Sequence, residues 1–113
     1  MPIKQGSIVV VDFSYSNLKE TKYRPALVIS SSKYNETAID VVVLRVTSKS
    51  RGSVWESEII KDDLAEGTID IEPSYVRVDS IYAVEKEIIR KTVAQLKEEK
   101  IKEIKTQLLE LFS

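Results

Sequence analysis

The sequence predicts a mainly β fold with flanking α structure: short antiparallel strands in a compact barrel or sandwich, closed by one C-terminal amphipathic helix. Three observations predict it. Runs of β-branched and apolar residues, separated by turn-forming residues, follow one another from Ser7 to Glu85, enough for six or seven short strands. The apolar period then changes, with Leu96, Ile101, Ile104, Leu108, Leu111 and Phe112 spaced as on one face of a helix from Lys97 onward. Finally, 113 residues suffice for one core and not for two, so residues 1–113 are expected to form a single domain.

Each element has its own reason. Ser7-Ile8-Val9-Val10-Val11-Asp12-Phe13 is β-branched, bounded by Gly6 and Ser14, and reads as the first strand. Residues 14–23 are polar and read as a loop. Ala26 to Ser30 is the second strand, and residues 31–35 break it with a short helical turn. Asp40 to Val46 reads as a third strand, apolar on both faces until Arg45. Residues 47–53 combine hydroxyls, cations and Gly52, the composition of a loop. Val54 to Ile60 alternates as a half-exposed strand does. Residues 62–67 read as a turn, and Ile69–Ile71, Tyr75–Val78 and Ile81–Glu85 as further short strands. On the closing helix, Glu98 and Lys102 stand in the favourable i,i+4 order.

Composition excludes several kinds of chemistry. Hydrophobic residues make up 42% and charged residues 31%, an ordinary globular balance. There is no cysteine and no histidine. Disulfides, thiolate metal sites, a cysteine nucleophile and the commonest general base are therefore all absent. No cofactor and no metal are expected, and chemistry must run on Arg, Lys, Asp, Glu, Ser, Thr and Tyr. The first residues lack the apolar segment of a signal peptide, and no apolar run approaches the ~20 residues of a membrane span. A cytoplasmic location without membrane contact is the expectation. The net charge of −1 hides an asymmetry: residues 1–55 carry eight basic and four acidic side chains, residues 56–113 nine and fourteen. That split suggests a basic face for an anionic partner.

The stretch Arg24-Pro25-Ala26-Leu27-Val28-Ile29-Ser30 is the chain's most informative motif. Pro25 fixes its own φ and holds Arg24 extended, so the guanidinium stands at the mouth of a core strand. A cation of that shape matches a phosphate bidentately. The plainer reading is a salt bridge from Arg24 to Asp12 or Asp40. Trp55 and Tyr15 are likewise open between stacking on unpaired bases and ordinary packing.

These pieces together resemble the PemK/MazF family of toxins. The resemblance rests on Gly6 to Phe13, the polar loop, Arg24 to Ser30, Tyr34-Asn35, the strand ending Val46-Thr47-Ser48, and Ser74-Tyr75-Val76-Arg77-Val78-Asp79-Ser80-Ile81. It implies a small antiparallel barrel with flanking helices, usually homodimeric. It also implies a ribonuclease that cuts single-stranded RNA at short sequences without metal and is neutralised by a cognate antitoxin. By motif position the catalytic arginine falls on Arg24 and the catalytic threonine on Thr47. RNA contacts fall on the two loops and the later segment, here Tyr15, Lys19, Lys22, Ser48, Lys49, Arg51, Asp79 and Ser80. Asp79 reads either as a general base or as a structural partner of Arg24. The chain departs from the family pattern in several places. The first loop lacks glycine, Arg45 replaces a frequent proline, Ser80 a frequent glutamine, and Ala94 a frequent glycine. Two rival readings are a gyrase-inhibiting barrel of the CcdB type and an RNA- or protein-binding barrel without catalysis.

Overall fold

The computed structural model describes residues 3–13 and 22–113. Among these residues, seven antiparallel strands make one strongly curled sheet: β1 (Ser7–Asp12), β2 (Tyr23–Val28), β3 (Asp40–Thr47), β4 (Glu56–Ile59), β5 (Leu64–Gly67), β6 (Ser74–Glu85) and β7 (Ile89–Leu96). Their order across the sheet is β4-β6-β3-β2-β1-β7-β5. Two helices flank it, α1 (Ser32–Thr37) and α2 (Glu98–Leu111). The mainly β fold and its helical closure follow the sequence expectation.

The valine-rich strands bury both faces because the sheet curls around two apolar clusters. One side gathers Ile8, Leu27, Leu44, Val46, Ile59, Val76, Val78 and Leu96, and α2 lays Ile101 and Ile104 on them. The other gathers Val9, Val11, Ala26, Val28, Val41, Val43 and Val84. Strand alternation sends successive residues to opposite clusters, so a continuous apolar run fits a strand covered on both sides.

Several elements differ from the sequence reading. Tyr75–Val78 and Ile81–Glu85 are halves of one long β6, bent where its register with β3 jumps from Arg45↔Arg77 to Leu44↔Ile81. Residues 78–80 occupy that bulge, which lets one strand serve both sides of the curl. Ile69–Ile71 is an irregular bend and no strand. The region read as a turn holds β5, which ends at Gly67 with φ +78, a left-handed conformation that a side chain resists. β7 went unread, and Leu96 ends it rather than starting the helix. On α2 the ion pair formed is Lys100–Glu103 at 3.0 Å, and Glu98–Lys102 is not made.

Asn35, part of the family-like motif, serves as a clasp. It is 3% exposed, and its amide donates to the carbonyls of Ile3 (3.0 Å) and Ser30 (3.1 Å). A buried amide so satisfied ties α1 and the N-terminal segment to the end of β2.

Candidate active site

Register decides which side chains meet. β2 pairs with β3 at Ala26↔Arg45, Leu27↔Leu44 and Val28↔Val43. Continued by two residues, that register sets Arg24 across from Thr47, on the same face of the sheet. The backbone ladder stops at Ala26, one residue short of Pro25, which has no N–H to extend it. Beyond Ala26 no β2–β3 ladder pair holds the two strands together. Arg24 and Thr47 thus flank the opening where β2 and β3 part.

Arg24 is exposed and forms no ion pair among the described residues. The salt-bridge reading of this arginine fails for both proposed partners. Asp12 is engaged by Arg90 at 2.9 Å, and this partner raises the already high pKa of Arg90. Asp40 stands at the opposite end of β3, across from Glu85. Asp79, the third candidate partner, lies 3.4 Å from the Nε of Arg77 instead.

Thr47 is half-buried, and its Oγ1 accepts the N–H of Lys49 at 3.2 Å. A hydroxyl that accepts in this way keeps its own hydrogen to donate. No carboxylate or amine side chain is bonded to it among the described residues.

The loop after Thr47 is held by a residue of the half-exposed strand for which no functional role is expected from sequence. Glu56 accepts the Ser50 hydroxyl at 2.7 Å and the Arg51 N–H at 2.9 Å. The Arg51 N–H first, then the Ser50 hydroxyl, hold the Glu56 carboxyl below the usual carboxylate range. Gln107 of α2 donates to the Glu56 carbonyl at 3.2 Å, so the helix anchors the same strand. Ser48, Lys49 and Arg51 therefore project from a fixed frame, all exposed. Because folding lowers this pKa, the anchor acts above the ordinary carboxyl range, about 4.3, and is lost only as pH falls through the lowered value. Hydrogen exchange, corrected for its intrinsic pH dependence, is expected to show Arg51 N–H protected at neutral pH and released only in acid. Glu56→Ala should release it at every pH; unchanged protection in that variant would disprove the anchor.

The other sequence-derived residues divide. Lys22 is exposed at the base of the first loop, where its carbonyl accepts the Phe13 N–H at 2.8 Å. Asp79 and Ser80 sit in the β6 bulge, and Ser80 donates to the Tyr82 hydroxyl at 3.1 Å. Trp55 is half-buried, with its carbonyl accepting the Val78 N–H at 2.9 Å. Tyr15 and Lys19 lie outside the described residues. Among the described residues, no three acidic side chains gather where a metal ion would be held. No described helix is long and apolar enough to cross a membrane.

Comparison with known proteins adds a consistent result. The sequence model described as the PemK-like, MazF-like toxin of type II toxin-antitoxin systems matches residues 4–112. No curated protein sequence matches the chain. Among solved structures, the fold is similar to an endoribonuclease from a mycobacterial species, with TM-score 0.78 and 19% identity over 99% of this chain and 92% of that one. It is similar to a mycobacterial endoribonuclease in complex with its cognate antitoxin, with TM-score 0.76 and 21% identity over 97% and 94% of the two chains. A chain of the MazE–MazF complex of Deinococcus radiodurans gives TM-score 0.79 and 21% identity over 99% and 96%. At these identities the likeness is one of fold.

Proposed function

The chain belongs to the PemK-like, MazF-like toxins of type II toxin-antitoxin systems, and from that membership we propose that it is an endoribonuclease acting on single-stranded RNA in the cytoplasm. The observation that supports the reading is the Ala26↔Arg45 register, which continued by two residues would bring Arg24 across from Thr47, together with an exposed guanidinium that has no counter-ion among the described residues. The partners that fit are a cognate antitoxin and a second copy of this chain. The half of β6 beyond its bulge supports the second, because among the described residues no strand other than β3 lies beside it and it exposes Ile81 and Tyr82.

The chemistry is transesterification by the RNA's own 2′-hydroxyl. Its oxygen bonds to the adjacent phosphorus, the bond from phosphorus to the 5′-oxygen breaks, and the 2′-proton is lost while the leaving oxygen gains one. Charge accumulates on the non-bridging oxygens. Arg24 meets that charge with a planar fork of donors, and Thr47 donates its hydroxyl hydrogen to one of the same oxygens. Lys22, Lys49 and Arg51 neutralise flanking phosphates, and Ser48, Asp79 and Ser80 are placed to contact sugars or bases.

The test is direct. Purified protein incubated with unstructured RNA in excess EDTA should cut it at a short recurring sequence. RNA left intact with and without added divalent cations would overturn the assignment. Cleavage that EDTA abolishes would overturn its metal-independent form.

A further inference from the structure

Arg45 and Arg77 have no part in the chemistry above, and their placement is unusual. The β3–β6 register makes them Cα partners. Their side chains therefore leave the same face of the sheet from Cα atoms about 4.5–5.5 Å apart. Like charges set directly opposite one another destabilise a sheet unless something negative lies between them.

The carboxylates nearby do not fill that need. Glu56, the Cα partner of Arg77 on β4, lends Arg77 some of its charge, but its oxygens accept the Ser50 hydroxyl and the Arg51 N–H and bond neither arginine. Asp79 approaches Arg77 at 3.4 Å, yet the Arg77 Nε is buried and makes no hydrogen bond. The Arg77 side chain is only 11% exposed, so its cation stands largely out of water. Arg45 forms no ion pair among the described residues. Arg77 thus has only a half-aligned contact with Asp79 and the more distant charge of Glu56, and Arg45 has no ion pair among the described residues.

The pair also lies close to the proposed reaction. Arg45 is two residues before Thr47 on β3, and across the other ladder it faces Ala26, two residues after Arg24. Alternation along the strands puts Arg24, Arg45, Thr47 and Arg77 on one face, the two rows separated by a rise of about 6.7 Å. We propose that Arg45 and Arg77 together form a second phosphate-binding subsite. It takes a phosphodiester of the same RNA strand beside the one held at Arg24 and Thr47. The inference rests on the ribonuclease reading. A phosphate between the two forks accepts from both and removes their repulsion. Both are positioning residues: fixing a neighbouring phosphate sets the register of the strand and leaves the bond-breaking step to Arg24 and Thr47.

The experiment measures binding of a mixed-sequence 2′-O-methyl oligoribonucleotide over a salt series, alongside cleavage kinetics on unmodified RNA. The oligonucleotide keeps every phosphate and cannot be attacked by its own 2′-hydroxyl. Arg45→Gln should weaken binding about 10-fold and reduce the slope of log affinity against log salt by about 0.7, the loss of one phosphate contact. In cleavage it should raise KM and leave kcat nearly unchanged. Its melting temperature should not fall, because the substitution removes a repulsion. Arg45→Lys should restore the salt slope and only part of the affinity, since the charge returns without the fork. Wild-type salt slope and KM in Arg45→Gln, with the parent protein active, would overturn the subsite alone, whatever happens to the melting temperature. A parent protein that neither binds nor cleaves RNA would overturn the ribonuclease reading and the subsite with it.

Discussion

Arg24→Ala is expected to lower RNA cleavage by at least ~10²-fold, the scale of losing one preorganised charge stabiliser. Its melting temperature should match that of the parent. The two halves of this expectation have separate grounds. The loss of rate follows from where the charge stands: two residues beyond the last β2–β3 pair, where a continued register would set it opposite Thr47. The thermal silence follows from what the side chain does not do. Arg24 is exposed and has no ion pair among the described residues. Truncating it therefore orphans no buried group, and surface changes of that kind usually stay within about 0.5 kcal/mol. Arg24→Lys should recover only part of the rate, because an ammonium restores the charge without the bidentate fork. A variant that unfolds would return Arg24 to a structural role, and a variant with full activity would remove it from the reaction.

The strands most plainly marked in the sequence are those whose residues face an apolar cluster on both sides. Ile8-Val9 in β1, Leu27-Val28 in β2 and Val41-Val42-Val43-Leu44 in β3 are continuous apolar runs because the curl covers them twice. β7 escaped notice because Arg90-Lys91-Thr92 breaks any alternation. Its place is set by β1, more than seventy residues away in the chain, through a ladder with two register shifts. β5 has the composition of a turn, and its pairing with β7 gives it strand form. Arg24 and Thr47 are candidates through family resemblance, and the register that would bring them together is not encoded in composition. The arginine pair was less legible still. Had the Leu44↔Ile81 register run on without a bulge, Ser80 would face Arg45, and the bulge puts Arg77 there. Glu56 looked like one more solvated strand residue because its partners, Ser50 and Arg51, are reached only once the loop folds back.

RNA carrying a single deoxyribose on the 5′ side of the cut should resist the protein completely, and the cleaved parent RNA should end in a 2′,3′-cyclic phosphate. The reason begins with what the chain lacks. With neither cysteine nor histidine, the nucleophile must be a hydroxyl of the protein, a water, or the substrate itself. Thr47 is the protein hydroxyl nearest the proposed reaction, and activating a threonine takes an adjacent base. Its oxygen instead accepts the Lys49 N–H at 3.2 Å, which lowers its electron density and leaves its hydrogen to donate. That is the arrangement of a donor and a poor nucleophile. The 2′-hydroxyl, by contrast, is already tethered beside the phosphorus, and intramolecular attack of this kind gains an effective concentration of up to ~10⁸ M. What remains for the protein is to hold the phosphate and neutralise it, the work proposed for Arg24 and Thr47. Thr47→Ala should accordingly cost less than Arg24→Ala, because a neutral hydrogen bond is worth roughly half a charged one. Mass spectrometry of the products and a single deoxy substitution decide the matter. Cleavage of the deoxy substrate, a covalent adduct on Thr47, or a terminal phosphate that never passes through the cyclic form would each refute attack by the 2′-hydroxyl.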